Sequence, residues 1–229
     1  MFGRLRRLLL AAPAPTTLSS ADAYARWAAS YQPYAHNLFM QAEQDAVLAL
    51  MPDLTGRVVL DLACGTGRYS RLAAERGARL TLGLDSSPAM LRASVQPVRV
   101  LAHAEALPLP SAAVDVVICA LALGHLPSPV PALAEIGRVL RAGGTALVSD
   151  FHPFAFLSGA RRTFTAADGA VYAVEHYPHL YSDYHRAGQS AGLVIDAVTE
   201  VVLPDADTGR RLRPALPAVL VLRLVKAGV

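Results

Sequence analysis

Short apolar runs recur along this chain, separated by stretches in which apolar residues fall three or four positions apart. The runs at 57–62, 79–84, 98–101, 114–120, 144–150, 193–203 and 217–226 predict strands. Such near-continuous apolar runs suit strands covered on both faces. The stretches at 68–76, 88–94, 129–140 and 182–190 predict helices between them, and 19–30 and 34–50 predict two more before the first strand. Ser19 or Ser20 can cap the first helix, Pro33 separates the pair, and Leu38, Val47 and Leu48 form the second helix's apolar face. Alternating strand and helix argues for an α/β fold built on a doubly wound, mostly parallel seven-stranded sheet. Residues 151–180 interrupt the alternation, and the pattern around Asp168-Gly169 predicts a hairpin there. With no internal repeat and no low-complexity linker, 19–229 is expected to be one domain carrying a small insertion at 151–180.

The chemistry concentrates just after the first predicted strand of the alternating part. Val58 to Leu62 runs into Ala63-Cys64-Gly65-Thr66-Gly67 and then a helix start. Gly65 and Gly67 allow a sharp turn and a close ligand. The helix behind them points unpaired N–H groups at that turn, which suits a carboxylate or phosphate. A dinucleotide fingerprint would need a third glycine, and Ser70 stands in its place. Asp85 ends the next strand, where a carboxylate can accept both hydroxyls of a ribose. The alternative for Asp85 is to cap the helix starting near Pro88, which Ser86 or Ser87 could do as well.

The run Asp61-x-x-Cys64-Gly65-Thr66-Gly67 resembles motif I of the class I S-adenosylmethionine-dependent methyltransferases. Ser86-Ser87-Pro88-Ala89-Met90, His103-Ala104-Glu105-Ala106-Leu107-Pro108 and Glu135 to Gly144 follow in that family's order, and the type 11 group is the most similar. The resemblance implies a Rossmann-like fold, an antiparallel C-terminal edge from the last two strands, and an N-terminal helical cap. In that cap Tyr24, Tyr31 and Tyr34 close over the cofactor. It also implies S-adenosylmethionine as cofactor. Asp61 would hold its amino group, with Ala63, Gly65, Thr66 and Gly67 as loop contacts and Asp85 and Ser86 at the ribose. Met90 would flank the adenine, although it reads equally well as core. His103, Ala104 and Glu105 would meet the adenine edge, with Ala120 at the end of the fourth strand. His103 departs from the family's aspartate, yet a neutral imidazole nitrogen can still accept a hydrogen bond. Glu105 on its own reads as solvated or structural. Gly143 and Gly144 read as a helix C-cap and turn.

The resemblance implies methyl transfer to a small molecule or a carrier-linked metabolite, with O-methylation of a carboxylate or hydroxyl favoured. Histidine titrates near neutrality, so His125 and His152, at strand C-termini, are the candidate general bases. A carboxylate acceptor would need none. Two other functions remain open: a catalytically silent cofactor-binding regulatory protein, and an RNA or protein methyltransferase.

Composition narrows the partners. The net charge is only +3 over 229 residues. Arg161-Arg162 and the Arg210, Arg211, Arg213 group read as solvated loop faces rather than a nucleic-acid stripe, though an acidic carrier protein remains open. Residues 1–18 carry Arg4, Arg6 and Arg7 before an apolar run that Pro13 cuts short, so a disordered basic tail is expected rather than a signal peptide. No apolar run is long enough for a membrane span. Cys64 and Cys119 lack metal-ligand spacing and read as reduced thiols in a cytoplasmic enzyme, with no metal expected.

Overall fold

A computed structural model describes residues 14–203 and 216–228. The arginines of the first seven residues and the Arg210, Arg211, Arg213 group lie outside the described residues. The chain runs β1 (Thr16–Leu18), α1 (Ser20–Trp27), α2 (Leu38–Leu50), β2 (Val58–Leu62), α3 (Arg68–Glu75), β3 (Leu80–Asp85), α4 (Pro88–Ala93) and β4 (Arg99–Leu101). Next come β5 (Val114–Ala120), a 3-10 turn (Leu123–His125), α5 (Val130–Val139), β6 (Leu140–Phe151) and α6 (Pro153–Leu157). It ends with β7 (Thr163–Thr165), β8 (Val171–Val174), α7 (Tyr181–Ser190), β9 (Leu193–Val202) and β10 (Pro217–Lys226).

The main sheet has seven strands in the order β4-β3-β2-β5-β6-β10-β9. The first five are parallel, and β10 lies antiparallel to both β6 and β9. Every residue of β2 is buried, as its unbroken apolar run requires at the sheet centre. One core layer gathers Leu60, Leu62, Val117, Leu133, Ile136 and Val148, and the opposite layer gathers Val59, Tyr69, Ile118, Leu147 and Val221. The strand order reverses between β2 and β5, so a crevice opens at their C-terminal ends.

Several elements differ from the sequence reading. In α2, Asn37 caps the helix by accepting from the Met40 N–H at 2.8 Å, so the helix starts at Leu38 rather than residue 34. Its buried stripe is Met40, Glu43, Ala46 and Val47, while Leu38 is 54% exposed. Gly143 adopts φ 72° inside β6 instead of ending α5, whose C-cap is Leu140.

The largest difference is at the N-terminus. Thr16–Leu18, expected in the basic tail, form a strand parallel to β8, which pairs in turn with β7. The predicted hairpin thus becomes a three-stranded sheet. Helix α1 packs on it through Ala23 and Trp27, and the Trp27 and Phe164 rings stack at 4.8 Å. The first helix and the insertion, more than a hundred residues apart in sequence, build one cap over the crevice.

Candidate functional site

A cavity of about 430 Å³ opens at the C-terminal ends of β2, β3 and β5, beneath the cap. Asp61, Ala63, Gly65, Thr66, Asp85, Ser86, Met90, His103, Ala104, Glu105, Ala120 and His125 all line it. Its wall also includes Tyr24, Tyr31 and Arg162 from the cap. Two of the predicted residues, Gly67 and His152, do not reach it.

The glycine turn is built by backbone conformation. Ala63 and Gly65 have φ of 56° and 54°, and the Gly67 N–H closes the turn on the Cys64 carbonyl at 2.8 Å. A side chain at Gly65 would meet nothing within 4 Å, so that face of the loop is bare for a ligand. Gly67 works differently. With φ of 95° it precedes α3, and a Cβ there would press on Ser94 and Gln96 at 3.1–3.3 Å. Its role is to let the loop pack on the segment after α4. Leu121, at the end of β5, also has a left-handed φ of 56°. Non-glycine residues hold that conformation only where their surroundings impose it, and such strain concentrates at functional sites.

Asp61 is buried at the bottom of the cavity. Its Oδ2 accepts from both the N–H and the hydroxyl of Ser70, each at 2.7 Å. Ser70, the residue that breaks the dinucleotide pattern, therefore anchors the carboxylate. Burial pushes the Asp61 carboxyl up to about 6 against those two bonds. Asp85 accepts from the Gly65 N–H at 2.8 Å and from the Ser87 N–H at 2.7 Å, and burial raises its pKa as well. The cap of α4 is Ser87, whose hydroxyl accepts from the Met90 N–H, so Asp85 is not needed there. It sits at the strand tip with its carboxylate held by backbone. Met90 is both core and wall, 2% exposed yet lining the cavity.

The cap end has a different character. The Nδ1 of His125 lies 2.9 Å from the Glu175 carbonyl, and its Nε2 lies 2.9 Å from the Tyr24 hydroxyl and 3.3 Å from Nη1 of Arg162. Burial, together with the Arg162 cation, pushes the His125 pKa down to about 3. Burial drives the Tyr24 hydroxyl up to about 12, with Arg162 opposing the rise. His125 is thus at the cavity as expected, but it is not poised as a general base. A base needs a pKa near the working pH and a vacant lone pair, and this ring has neither.

His152 departs from expectation by position. It caps α6, with Nδ1 accepting from the Phe154 N–H at 3.2 Å, and its Nε2 faces Glu200 on β9 at 3.1 Å. A residue committed to that cap points toward the antiparallel edge, away from the crevice.

Sequence reasoning missed two charged residues. Glu43 is fully buried, bound to Arg68 at 2.7 Å, to the Tyr69 hydroxyl at 2.9 Å and to the Ser149 hydroxyl at 2.6 Å. Arg162, assigned to a solvated loop face, instead turns into the cavity wall. Its Nη1 donates to the Leu121 carbonyl at 3.0 Å, and it makes no ion pair among the described residues. Nothing local marks it out from Arg161 beside it. Cys64 and Cys119 are buried thiols whose pKa burial raises, which rules against a thiolate nucleophile. Among the described residues no cluster of three or more His, Cys, Asp or Glu is arranged to hold a metal ion.

An open α/β sheet with a crevice at the switch point, a glycine turn after β2 and an acid at the tip of β3 give the chain a Rossmann-like architecture of the kind class I methyltransferases share. Residues 60–148 match the family described as a methyltransferase domain. It is 37% identical over 135 residues to a malonyl–acyl-carrier protein O-methyltransferase of Serratia marcescens, covering 56% of this chain and 51% of that protein. It is 32% identical over 167 residues to the Pectobacterium atrosepticum protein of the same name, covering 71% and 64%. The chain thus spans about half to two thirds of the length of these curated relatives. In fold it resembles an S-adenosylmethionine-dependent methyltransferase of Mesorhizobium loti, with a TM-score of 0.66 and 24% identity over 82% of this chain and all of that one. Among the described residues, no helix is long and apolar enough to cross a membrane.

Proposed function

We propose that this protein transfers a methyl group from S-adenosylmethionine to the carboxylate of a small thioester- or carrier-linked acceptor. The observation that carries the acceptor class is Arg162, a guanidinium at the cap end of the cavity without a carboxylate partner among the described residues. An unpaired cation facing an enclosed cavity calls for an anion, and a guanidinium matches a carboxylate in two parallel bonds. The same end offers no working base, since His125 is engaged and depressed and the Tyr24 proton is held tightly. A hydroxyl acceptor would need a base, whereas a carboxylate is already ionised at neutral pH. The malonyl–acyl-carrier protein relatives, whose names imply a carboxylate on a carrier, agree with this reading.

The cofactor fits the other end of the cavity. The bare face at Gly65 leaves room for close approach, Asp61 would face the cofactor's ammonium group, and the Asp85 oxygens would offer lone pairs to ribose hydroxyls. The bound cofactor supplies the activated methyl group. The chain's own residues bind it, orient the acceptor and close the cap over both, and alignment is the main contribution they have to make. Cys64 and Cys119, buried and unpaired, suit the reducing cytoplasm.

Two tests address the cofactor. Calorimetric titration of Asp85→Ala should show binding of S-adenosylmethionine weakened by about 1.5–3 kcal/mol, the worth of charged hydrogen bonds. Unchanged affinity in a folded variant would remove Asp85 from the ribose. The second test is pH. Protonation of Asp61 as pH falls through about 6 removes the charge that faces the ammonium. Affinity should therefore be level between about pH 6 and the range near pH ~8 in which the ligand's own α-amino group loses its proton, fall below about pH 6, approaching tenfold per unit, and lose that acid-side fall in Asp61→Asn. For turnover, malonyl-pantetheine should be methylated, and an analogue bearing a hydroxyl in place of the carboxylate should not.

A further inference from the structure

The contacts of His125 determine its protonation state. The Glu175 carbonyl can only accept, so Nδ1 carries the ring proton. The Arg162 guanidinium can only donate, so Nε2 is the acceptor, and the Tyr24 hydroxyl donates to it as well. A single state, the neutral ring protonated on Nδ1, satisfies all three contacts. Those contacts come from α1, from the segment before β7 and from the segment after β8, while the ring itself is carried by the 3-10 turn after β5. On its remaining side lies the His176 ring, with centroids 6.1 Å apart. Gly124 makes room for this: a Cβ there would fall 2.1 Å from His176 and 2.7 Å from the Asp150 carboxylate on β6. The charged and titratable groups around the ring are therefore Tyr24, Arg162, His176 and Asp150.

The arrangement also fixes Arg162. Its Nη1 carries two protons, and the two acceptors within reach are the Leu121 carbonyl at 3.0 Å and the His125 Nε2 at 3.3 Å. Both protons are thereby assigned. Apart from the neighbouring Tyr24 hydroxyl, no acceptor among the described residues engages the Nε and Nη2 groups, which together form the edge that engages a carboxylate with two parallel bonds. A flexible arginine holding a carboxylate through one swinging bond would leave the nucleophilic oxygen poorly aligned. For a displacement that needs the attacking oxygen in line, small misplacements cost large factors in rate.

We infer that His125 is a positioning residue, whose neutral ring holds Arg162 and Tyr24 in place so that the free edge of the guanidinium meets the acceptor carboxylate. The inference rests on the carboxylate reading for its consequence in turnover, but the state of the ring can be tested without it. Burial beside the Arg162 cation agrees with a ring that stays neutral through the physiological range.

The test uses the whole chain as wild type, His125→Gln and His125→Leu, with folding of each checked by thermal melting. Glutamine places an amide oxygen near the position of Nε2 and can still accept, whereas leucine cannot. NMR of histidine-labelled wild type should show the His125 Nε2 unprotonated from pH 5 to 8.5. With malonyl-pantetheine and S-adenosylmethionine, kcat should be flat across pH 6–8.5. His125→Leu should lower kcat/KM for malonyl-pantetheine tenfold or more with cofactor Kd changed less than twofold, and His125→Gln should restore most of that loss. A ring that titrates between pH 6 and 8, with kcat following it, would overturn the inference and make His125 a base. Equal loss in the Gln and Leu variants would overturn it too. If the wild type binds the cofactor but methylates no malonyl-pantetheine, the carboxylate reading fails. The NMR titration then decides the inference alone: protonation of Nε2 within that range defeats it, and its absence upholds the fixed neutral ring.

Discussion

Glu43→Ala is expected to destabilise the fold by about 3–5 kcal/mol, the range for removing one partner of a buried ion pair. Glu43 is 0% exposed, and its two oxygens take bonds from Arg68, Tyr69 and Ser149. Alanine would leave the Arg68 guanidinium, itself buried, with only the Met40 carbonyl at 3.2 Å and the face of the Tyr69 ring. Two more buried hydroxyls would lose their acceptor, each at a further desolvation cost. These bonds join α2 to α3 and β6, so the loss falls on the packing of three elements. Denaturant unfolding measures it directly. Glu43→Gln should cost less, because it keeps an acceptor for the hydroxyls. Glu43→Leu paired with Arg68→Met should come close to wild type, since no stranded charge remains. A loss below about 1 kcal/mol in Glu43→Ala would mean that Arg68 finds water or another partner.

Arg162→Leu is expected to reduce kcat/KM for a carboxylate acceptor by about 10²–10³-fold, within the ~2–5 kcal/mol lost when one member of a buried charged pair is truncated. Cofactor affinity should hardly change, because Arg162 comes from the cap, whereas Asp61 and Asp85, proposed to meet the ammonium and the ribose, lie on β2 and β3. Arg162→Lys should recover only part of the loss. An ammonium supplies the charge but not the planar pair of donors, and it cannot reproduce the fork fixed at Leu121 and His125. Initial rates over a range of malonyl-pantetheine concentrations, alongside calorimetry with S-adenosylmethionine, separate the two effects. An equal loss of cofactor affinity would move Arg162 to the cofactor end.

The parts of the site that the sequence made legible are the parts built locally. Val58 to Gly67 reads as strand, turn and helix start because burial on both faces, positive φ and helix initiation each depend on neighbours in the chain. Asp85 could be placed at a strand tip by the end of its apolar run, and Ser87 could be proposed as the cap of α4 for the same reason. His152 was misread because a strand end specifies a place along the chain. It does not specify which side of the sheet the next residue faces.

The sequence alone determined the alternation of elements, the parallel sheet with its crevice, and most of the residues that line the cavity at the ends of β2 and β3. Hydrophobic period and turn chemistry are properties of adjacent residues, and these features follow from them. Only the tertiary structure decided that β1 joins β8 to make one cap, that Glu43 is buried, and that Arg162 rather than Arg161 enters the cavity. The same holds for His125, which became an acceptor of hydrogen bonds instead of a base. Its Tyr24 contact spans 101 positions, and the contact between Glu43 and Ser149 spans 106. Periodicity states which face of an element is buried. What that face meets is settled when distant segments pack, and there the desolvation of each polar group selects its partner and its charge.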